Sequence, residues 1–447
     1  MAVLARLGGL TTSGKARVGV AWSLYDFANT IFSFVVVSSA IGLWLVDDSR
    51  FGERDGNFVL SLAVVISVGL NALVSPILGA LSDRGGRRMP FLLFFTLLCI
   101  VPTIFIGWSP PVLGVVLFIV ANFAYQAALI YYDATLKSVS RPESRGRLSG
   151  IGVGVGYLGT IFSGLFLLIL GVGVNDRFLV AGALFAIFAI PIFLLVRETG
   201  PIGKVSLADV TGSLTQLRTS VRHAREVPGL LRFLVARFFY SDAVNTIIVV
   251  MTVVTTKAKG MTDSQALIVL LSLTVAAIVA SFGWGYLVDR LGPRRTLMIV
   301  LTSWAVGLVL GAISLSVDGP IGLAMFLIAG AILGSGLGGV QVADRVLMVR
   351  LAPPERVGEF FGLYGLVGKG SQVIGQLLYG FTLLLFFDIL GVGAYQLAVL
   401  TLLVTMLVGA WILRPVRDHW AGSGEIPIQA PPDRLAPGSA PIEDREA

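Results

Sequence analysis

One cysteine and two histidines in 447 residues remove several kinds of chemistry at the outset. Cys99 stands alone inside an apolar stretch, so neither a disulfide framework nor a thiol redox pair is available. His223 and His419 lie far apart in polar segments, which leaves no histidine cluster for a metal. Charge is scarce as well: 13% of residues are Asp, Glu, Lys or Arg, against roughly 25% in soluble domains. The basic residues are scattered over separate short segments, which argues against a nucleic-acid partner. A phosphate-loop lysine motif is missing, so the chain does not drive its own work by ATP hydrolysis. The runs Gly154-Val-Gly156-Tyr-Leu-Gly159 and Gly334-Ser-Gly336-Leu-Gly338-Gly339 fit a dinucleotide fingerprint by spacing, but neither follows a strand. Their apolar setting favours close helix packing, with Gly330, Gly334 and Gly338 as a small-residue ridge. No cofactor, no metal and no enzyme are expected.

What the chain has in abundance is apolar length. Hydrophobic residues make up 55% and the mean hydropathy is +0.88. Twelve stretches reach the roughly 20 residues that carry a helix across a hydrocarbon core of about 30 Å. They cover 18–46, 58–81, 90–108, 112–136, 148–172, 178–196, 230–256, 266–288, 296–315, 321–348, 360–386 and 392–413. The first is too long for a signal-peptide core and lacks a small-residue cleavage site, so it is expected to remain as a membrane helix. Basic residues recur on alternate loops: Arg84, Arg87 and Arg88; Lys137, Arg141, Arg145 and Arg147; the 197–229 segment; Arg290, Arg294 and Arg295; Arg350 and Arg356. The positive-inside rule then places both termini in the cytoplasm, in the plasma (inner) membrane, with lipid as the solvent. The expected organisation is a segment 1–17, a six-helix bundle 18–196, a linker 197–229, a second six-helix bundle 230–414 and a proline-rich polar tail 415–447 that cannot bury a core. A monomer is expected.

The two halves repeat. Asp26-Phe-Ala-Asn29-Thr30 returns as Asp242-Ala-Val-Asn245-Thr246. Gly79-Ala-Leu-Ser-Asp83-Arg84-Gly-Gly-Arg87-Arg88 returns as Gly285-Tyr-Leu-Val-Asp289-Arg290-Leu-Gly-Pro-Arg294-Arg295. Pro142-Glu143 with Gly146 is matched by Pro354-Glu355 with Gly358, and Asp133 by Asp344. Four matched pairs in order point to a duplicated all-α membrane protein, the layout by which many secondary transporters hold a substrate site between halves.

An ionised Asp at the centre of a membrane helix costs about 2.5–3.5 kcal/mol on insertion scales, so Asp26 and Asp242 are expected to face a shared cavity rather than lipid. Asp26 with Asn29, and Asp242 with Asn245, are three apart and share a helical face, with Tyr25 and Tyr240 beside them. Burial disfavours an acid's charge and a nearby cation restores it. Each Asp therefore either exchanges protons, stays paired with Arg237, or serves as a fixed helix-to-helix contact. Lys369 either pairs with an acid or meets the substrate. The loop charges suit a cytoplasmic gate instead: Asp83, Arg84, Arg87 and Arg88 against Asp133 and Glu143, and Asp289, Arg290, Arg294 and Arg295 against Asp344 and Glu355, unless the arginines only set topology.

The loop after the second helix, echoed after the eighth, resembles the signature loop of the major facilitator superfamily. Within it, Trp22-Ser-Leu-Tyr25-Asp26-Phe27-Ala28-Asn29-Thr30, Ala236-Arg237-Phe-Phe-Tyr240-Ser-Asp242, Gly339-Val-Gln341 with Arg345, and Glu359-Phe360-Phe361-Gly362-Leu-Tyr364 with Gly368-Lys369 resemble the vacuole-effluxer family. The resemblance implies two pseudo-symmetric six-helix bundles, a cavity lined by helices one, four, seven and ten, and efflux of an amino-acid-like polar solute by alternating access. It adds Gln341 to the substrate candidates and Arg345 to the gate. Asp133 stands where the resemblance implies an uncharged Asn. Alternatives are a lipid or amphiphile flippase of the same fold, or a non-transporting receptor-like membrane protein.

Overall fold

The computed structural model describes residues 13–84, 88–139, 145–197, 218–353 and 357–417. Among them every long element is a helix. The first, α1, runs from Ser13–Ile31 through a π-helical stretch Phe32–Ala40 into Ile41–Leu45. It is followed by α2 (Gly52–Arg84), α3 (Met89–Ile106), α4 (Pro111–Val139), α5 (Arg145–Leu170) and α6 (Val174–Leu195). The second half holds α7 (Leu230–Val253, continuing as a π-helix Val254–Ala258), α8 (Asp263–Leu291), α9 (Pro293–Ser314), α10 (Gly319–Leu351), α11 (Val357–Leu390) and α12 (Gly393–Leu413). Eleven of these are long and apolar enough to cross a bilayer. The twelfth, α5, is 26 residues, about 39 Å of helix, with its apolar stretch at Gly154–Leu170. The first helix starts five residues earlier than its apolar run predicts, and 218–226, inside the expected linker, are helical.

The packing repeats as the sequence does. α1 packs on α5 and α6, α2 on α4, and α3 on α4 and α6; α7 packs on α11 and α12, α8 on α10, and α9 on α10 and α12. The halves meet along α2 with α11 and along α8 with α5, again a symmetric pair. The ridge on α10 lies against α8: a Cβ at Gly338 would sit 2.7 Å from the Ala277 carbonyl and one at Gly334 2.9 Å from that of Leu273. Side chains on the outer faces are large, apolar and exposed, among them Leu73, Ile169, Ile389 and Trp411, each about three-quarters exposed. A belt of that kind has a solvent only in lipid.

Because successive connections alternate, the bundle has two unlike ends. A basic pole carries Arg88, Arg290, Arg295 and Arg350, and an acid-rich pole carries Asp47, Glu53, Asp176, Asp263 and Asp388. At the acid-rich pole the halves are tied together. Asn57 Nδ2 donates to the Tyr395 hydroxyl at 3.0 Å, Tyr379 donates to Asn57 Oδ1 at 3.1 Å, and Tyr395 donates to Glu53 at 3.3 Å. Glu53 also lies 3.6 Å from Lys257, and Arg54 2.8 Å from Asp388. The π-helical turn of α1 belongs to the same closure. A π turn displaces the regular carbonyl pairing, and here Ser38 O accepts from Thr252 of α7 while Ser39 O accepts from the buried Arg177 of α6, which also reaches Asp263 of α8 at 3.6 Å.

Candidate functional site

Between the halves lies a cavity of about 480 Å³, walled by α1, α2, α4, α7, α10 and α11. Helices one, four, seven and ten all contribute, joined by α2 and α11, one of the two pairs along which the halves meet. On α7 the positions Arg237, Ser241, Val244, Asn245 and Ile248 follow the 3.6-residue period, so one face of that helix supplies a wall.

The densest polar group is centred on Asp344 of α10, which is 1% exposed. Tyr240 donates to its Oδ1 at 2.6 Å and Tyr364 to its Oδ2 at 3.1 Å. Arg237 Nε lies 2.9 Å from Oδ2, and the guanidinium stacks 3.6 Å from the centre of the Tyr364 ring. The pairing is close but poorly aligned: Nε and Nη1 of Arg237 complete no hydrogen bond, and Nη1 lies over Gly368 of α11. Two more cations share the wall. Lys369 Nζ donates to Asn71 Oδ1 of α2 at 3.2 Å, crossing between halves. Arg345 forms no ion pair among the described residues, with Asp133 of α4 the carboxylate in electrostatic range of it and of Lys369. The opposite wall is neutral and polar: Ser33, Asn122, Tyr125 and Gln126.

Of the residues the sequence singled out for substrate or proton, Arg237, Asn245, Gln341 and Lys369 line this cavity. Asn245 points to Ser371 and Gly368 of α11, and Tyr157 of α5 reaches Gln341 at 3.5 Å across the halves. Tyr240 is buried behind the wall and supports Asp344. Asp26 and Asp242, expected to face a shared chamber, are not among the residues lining this cavity. Asp26 and Thr30 lie over Gly156 of α5, where a Cβ would come within 3.1 and 3.0 Å of them. Asp242 and Thr246 lie over Gly375 of α11, where a Cβ would come within 2.5 Å of the carboxylate and closer still to the Thr246 hydroxyl, and the Asp242 carboxylate accepts the Gly375 N–H. Each acid thus lies against the fifth helix of its own half, Asp242 buried and hydrogen-bonded there and Asp26 half-buried. Tyr25 is fully buried, shares a hydrogen bond with Thr96 at 2.7 Å and stacks on Tyr132; Asn29 is buried against Tyr125.

Asp344 and Arg345, read from the sequence as gate residues, line the cavity. Asp344 is seven residues, about 10 Å, inside the end of α10, too deep for the α8–α9 arginines but level with Arg237, which is as far inside α7. Asp289, Arg290 and Arg295 are exposed at the basic pole, with Arg290 over the Tyr286 ring; Arg294 donates to the Arg414 carbonyl, and Arg88 precedes α3. Arg87, Glu143 and Glu355 lie outside the described residues, as do the side chains of Asp83 and Arg84, whose backbone ends α2. Sequence reasoning did not select Tyr364 or Asn71. Their signal was present, since a membrane-embedded Arg and Lys each require a partner and both residues are polar members of apolar helices. The Asn57, Tyr379 and Tyr395 cluster gave no such signal, because its members lie far apart in sequence.

A charged, two-walled cavity between repeated six-helix bundles defines a membrane transporter of the major facilitator fold. The chain belongs to the family described as vacuole effluxer Atg22 like, whose model matches residues 51–416. It is 27% identical over 418 residues to the uncharacterized MFS-type transporter YxiO of Bacillus subtilis, covering 89% of this chain and 94% of that one. It is 24% identical over 373 residues to autophagy-related protein 22 of Kluyveromyces lactis, covering 76% and 75%. Among solved structures it resembles a single-site mutant of the nucleoside transporter NupG (TM-score 0.71, 13% identity, 89% and 99% covered). It also resembles a D-xylose-proton symporter (TM-score 0.65, 14% identity, 90% and 97% covered). At those identities the structures speak for the fold. These relatives are transporters, not enzymes, and lipid surrounds the chain while a small molecule is its cargo.

Proposed function

We propose that the chain is a secondary active transporter that exports a small, amino-acid-like polar solute by alternating access. The observation that carries this reading is the cavity itself: membrane-embedded Arg237, Arg345 and Lys369 converge on a space large enough for a small ligand. A carboxylate-bearing solute complements this cationic wall, where Arg345 forms no ion pair among the described residues. The basic pole is cytoplasmic by the positive-inside rule, so both termini face inside, and this reading takes the membrane to be the plasma (inner) membrane. The halves 18–196 and 230–414 rock against each other as a monomer, and closure at the acid-rich pole makes this the inward-facing state. Proton coupling, in this reading, belongs to Asp26 and Asp242, each held within its own half. The loop charges Asp83, Arg84, Arg87, Arg88, Asp289, Arg290, Arg294 and Arg295 close the inner side when the outer one opens.

Counterflow into proteoliposomes preloaded with an amino-acid mixture tests the proposal. Accumulation of labelled amino acid that is lost in Arg237→Gln supports it. Equal uptake by empty and protein-bearing vesicles removes it.

A further inference from the structure

On the outer surface of the bundle, at its basic pole, α7 and α12 form a groove of about 700 Å³ that shares no lining residue with the central cavity. About one turn further in the two helices touch, where a Cβ at Gly409 of α12 would sit 2.9 Å from the Ala236 carbonyl of α7, so a packed pair carries the groove. Its chemistry is layered. On each helix an arginine lies nearer the pole and an apolar residue three residues deeper, about 4.5 Å along the axis: Arg232 before Val235 on α7, and Arg414 beyond Trp411 on α12. Side chains tilt toward a helix's N-terminus, which carries the Arg232 head toward the pole and the Trp411 ring away from it. All four residues are exposed. Neither arginine enters an ion pair among the described residues, and none of the described residues lining the groove is acidic. Arg294, which donates to the Arg414 carbonyl, brings a third guanidinium to the same rim.

We infer that this groove binds an anionic glycerophospholipid from the leaflet at the basic pole, with its phosphate between Arg232 and Arg414 and an acyl chain over Val235 and Trp411. Guanidinium groups make charge-assisted, bidentate hydrogen bonds to phosphate. Basic residues at the membrane edge attract anionic headgroups, and tryptophan is favoured at that same interface. A zwitterionic lipid brings an ammonium group among three guanidiniums and loses much of this attraction. A soluble anion meets the arginines but leaves the apolar half of the groove unused. The site stands whatever solute the central cavity carries.

The test titrates the full chain in detergent with dioleoylphosphatidylglycerol, dioleoylphosphatidylcholine or inorganic phosphate, and native mass spectrometry measures what is bound. Place is read in phosphatidylcholine nanodiscs that hold a minority of either lipid brominated on its acyl chains. Quenching of Trp411 is taken as the difference between the chain and its Trp411→Phe variant. The expected result is phosphatidylglycerol bound roughly tenfold or more tighter than phosphatidylcholine or phosphate, with Trp411 quenched more by the brominated phosphatidylglycerol. Arg232→Gln/Arg414→Gln should lose that preference by about tenfold, whereas Arg225→Gln, exposed at the same pole but outside the groove, should keep it. Equal binding of the two lipids overturns the anionic head, and phosphate bound as tightly overturns the lipid. Trp411 quenched alike by both brominated lipids, or a preference that survives the double variant, places the lipid elsewhere and overturns the site. The wild-type titration and quenching decide the matter even if a variant fails to fold.

Discussion

The Asp242 carboxylate accepts the main-chain N–H of Gly375, and the helix carrying that glycine has no room for a side chain there. A Cβ at Gly375 would sit 2.5 Å from Asp242 Oδ1, while the equivalent atom at Gly156 would sit 3.1 Å from Asp26 Oδ2. Overpacking a filled site costs about 1–3 kcal/mol. Gly375→Ala is therefore expected to lower the melting temperature clearly more than Gly156→Ala, measured in the same nanodiscs. Equal losses contradict the reading of the two sites as a tight and a looser copy of one arrangement.

Arg237 and Asp344 are the next pair to break. Removing one partner of a buried ion pair costs about 3–5 kcal/mol because the other charge remains. Asp344→Asn should thus destabilise strongly, and the double variant Arg237→Gln/Asp344→Asn should recover much of the loss. A double-mutant cycle on melting curves measures the coupling, and additive losses argue against a functioning pair.

Closure of the acid-rich pole depends on Asn57, which is hydrogen-bonded to Tyr379 and Tyr395. With net contributions of about 1 kcal/mol per bond, Asn57→Ala should shift the balance toward opening there by roughly tenfold or more. Cys99 is buried and the sole cysteine, so one replacement gives a clean background for labelling. A cysteine placed at Ser61, buried just inside this cluster on α2, should react with a polar maleimide about tenfold faster in the variant.

Proton coupling makes a separate prediction. Asp26→Asn and Asp242→Asn keep size and most hydrogen bonding while removing exchangeable charge, so flux driven by an imposed proton gradient should fall while counterflow persists. Undiminished gradient-driven flux in the double variant assigns the two acids a structural role only.

Much of this was legible in the sequence because membrane physics writes in length and charge. Apolar runs of twenty residues located the helices, and paired motifs located the repeat. Arg237 and Lys369 were legible as cavity residues because a charge inside such a run needs a wet or partnered place. Rotation about a helix axis was not legible. Asp242 and Ser241 are neighbours in the chain, yet one faces Gly375 and the other the cavity. Depth misled in the same way for Asp344, whose partner was chosen from the loop when an arginine at its own level existed on another helix. The Asn57 cluster joins residues more than 320 apart in sequence, beyond the reach of any local pattern.

In the proposed cycle the two halves alternate about the Arg237–Asp344 cavity. Spin labels on the α1–α2 and α7–α8 connections at one pole, and on α4 and α10 ends at the other, give two distances by electron–electron double resonance in nanodiscs. Alternation predicts that Asn57→Ala lengthens the first distance and shortens the second together. Distances that stay fixed, or that lengthen at both poles at once, contradict it.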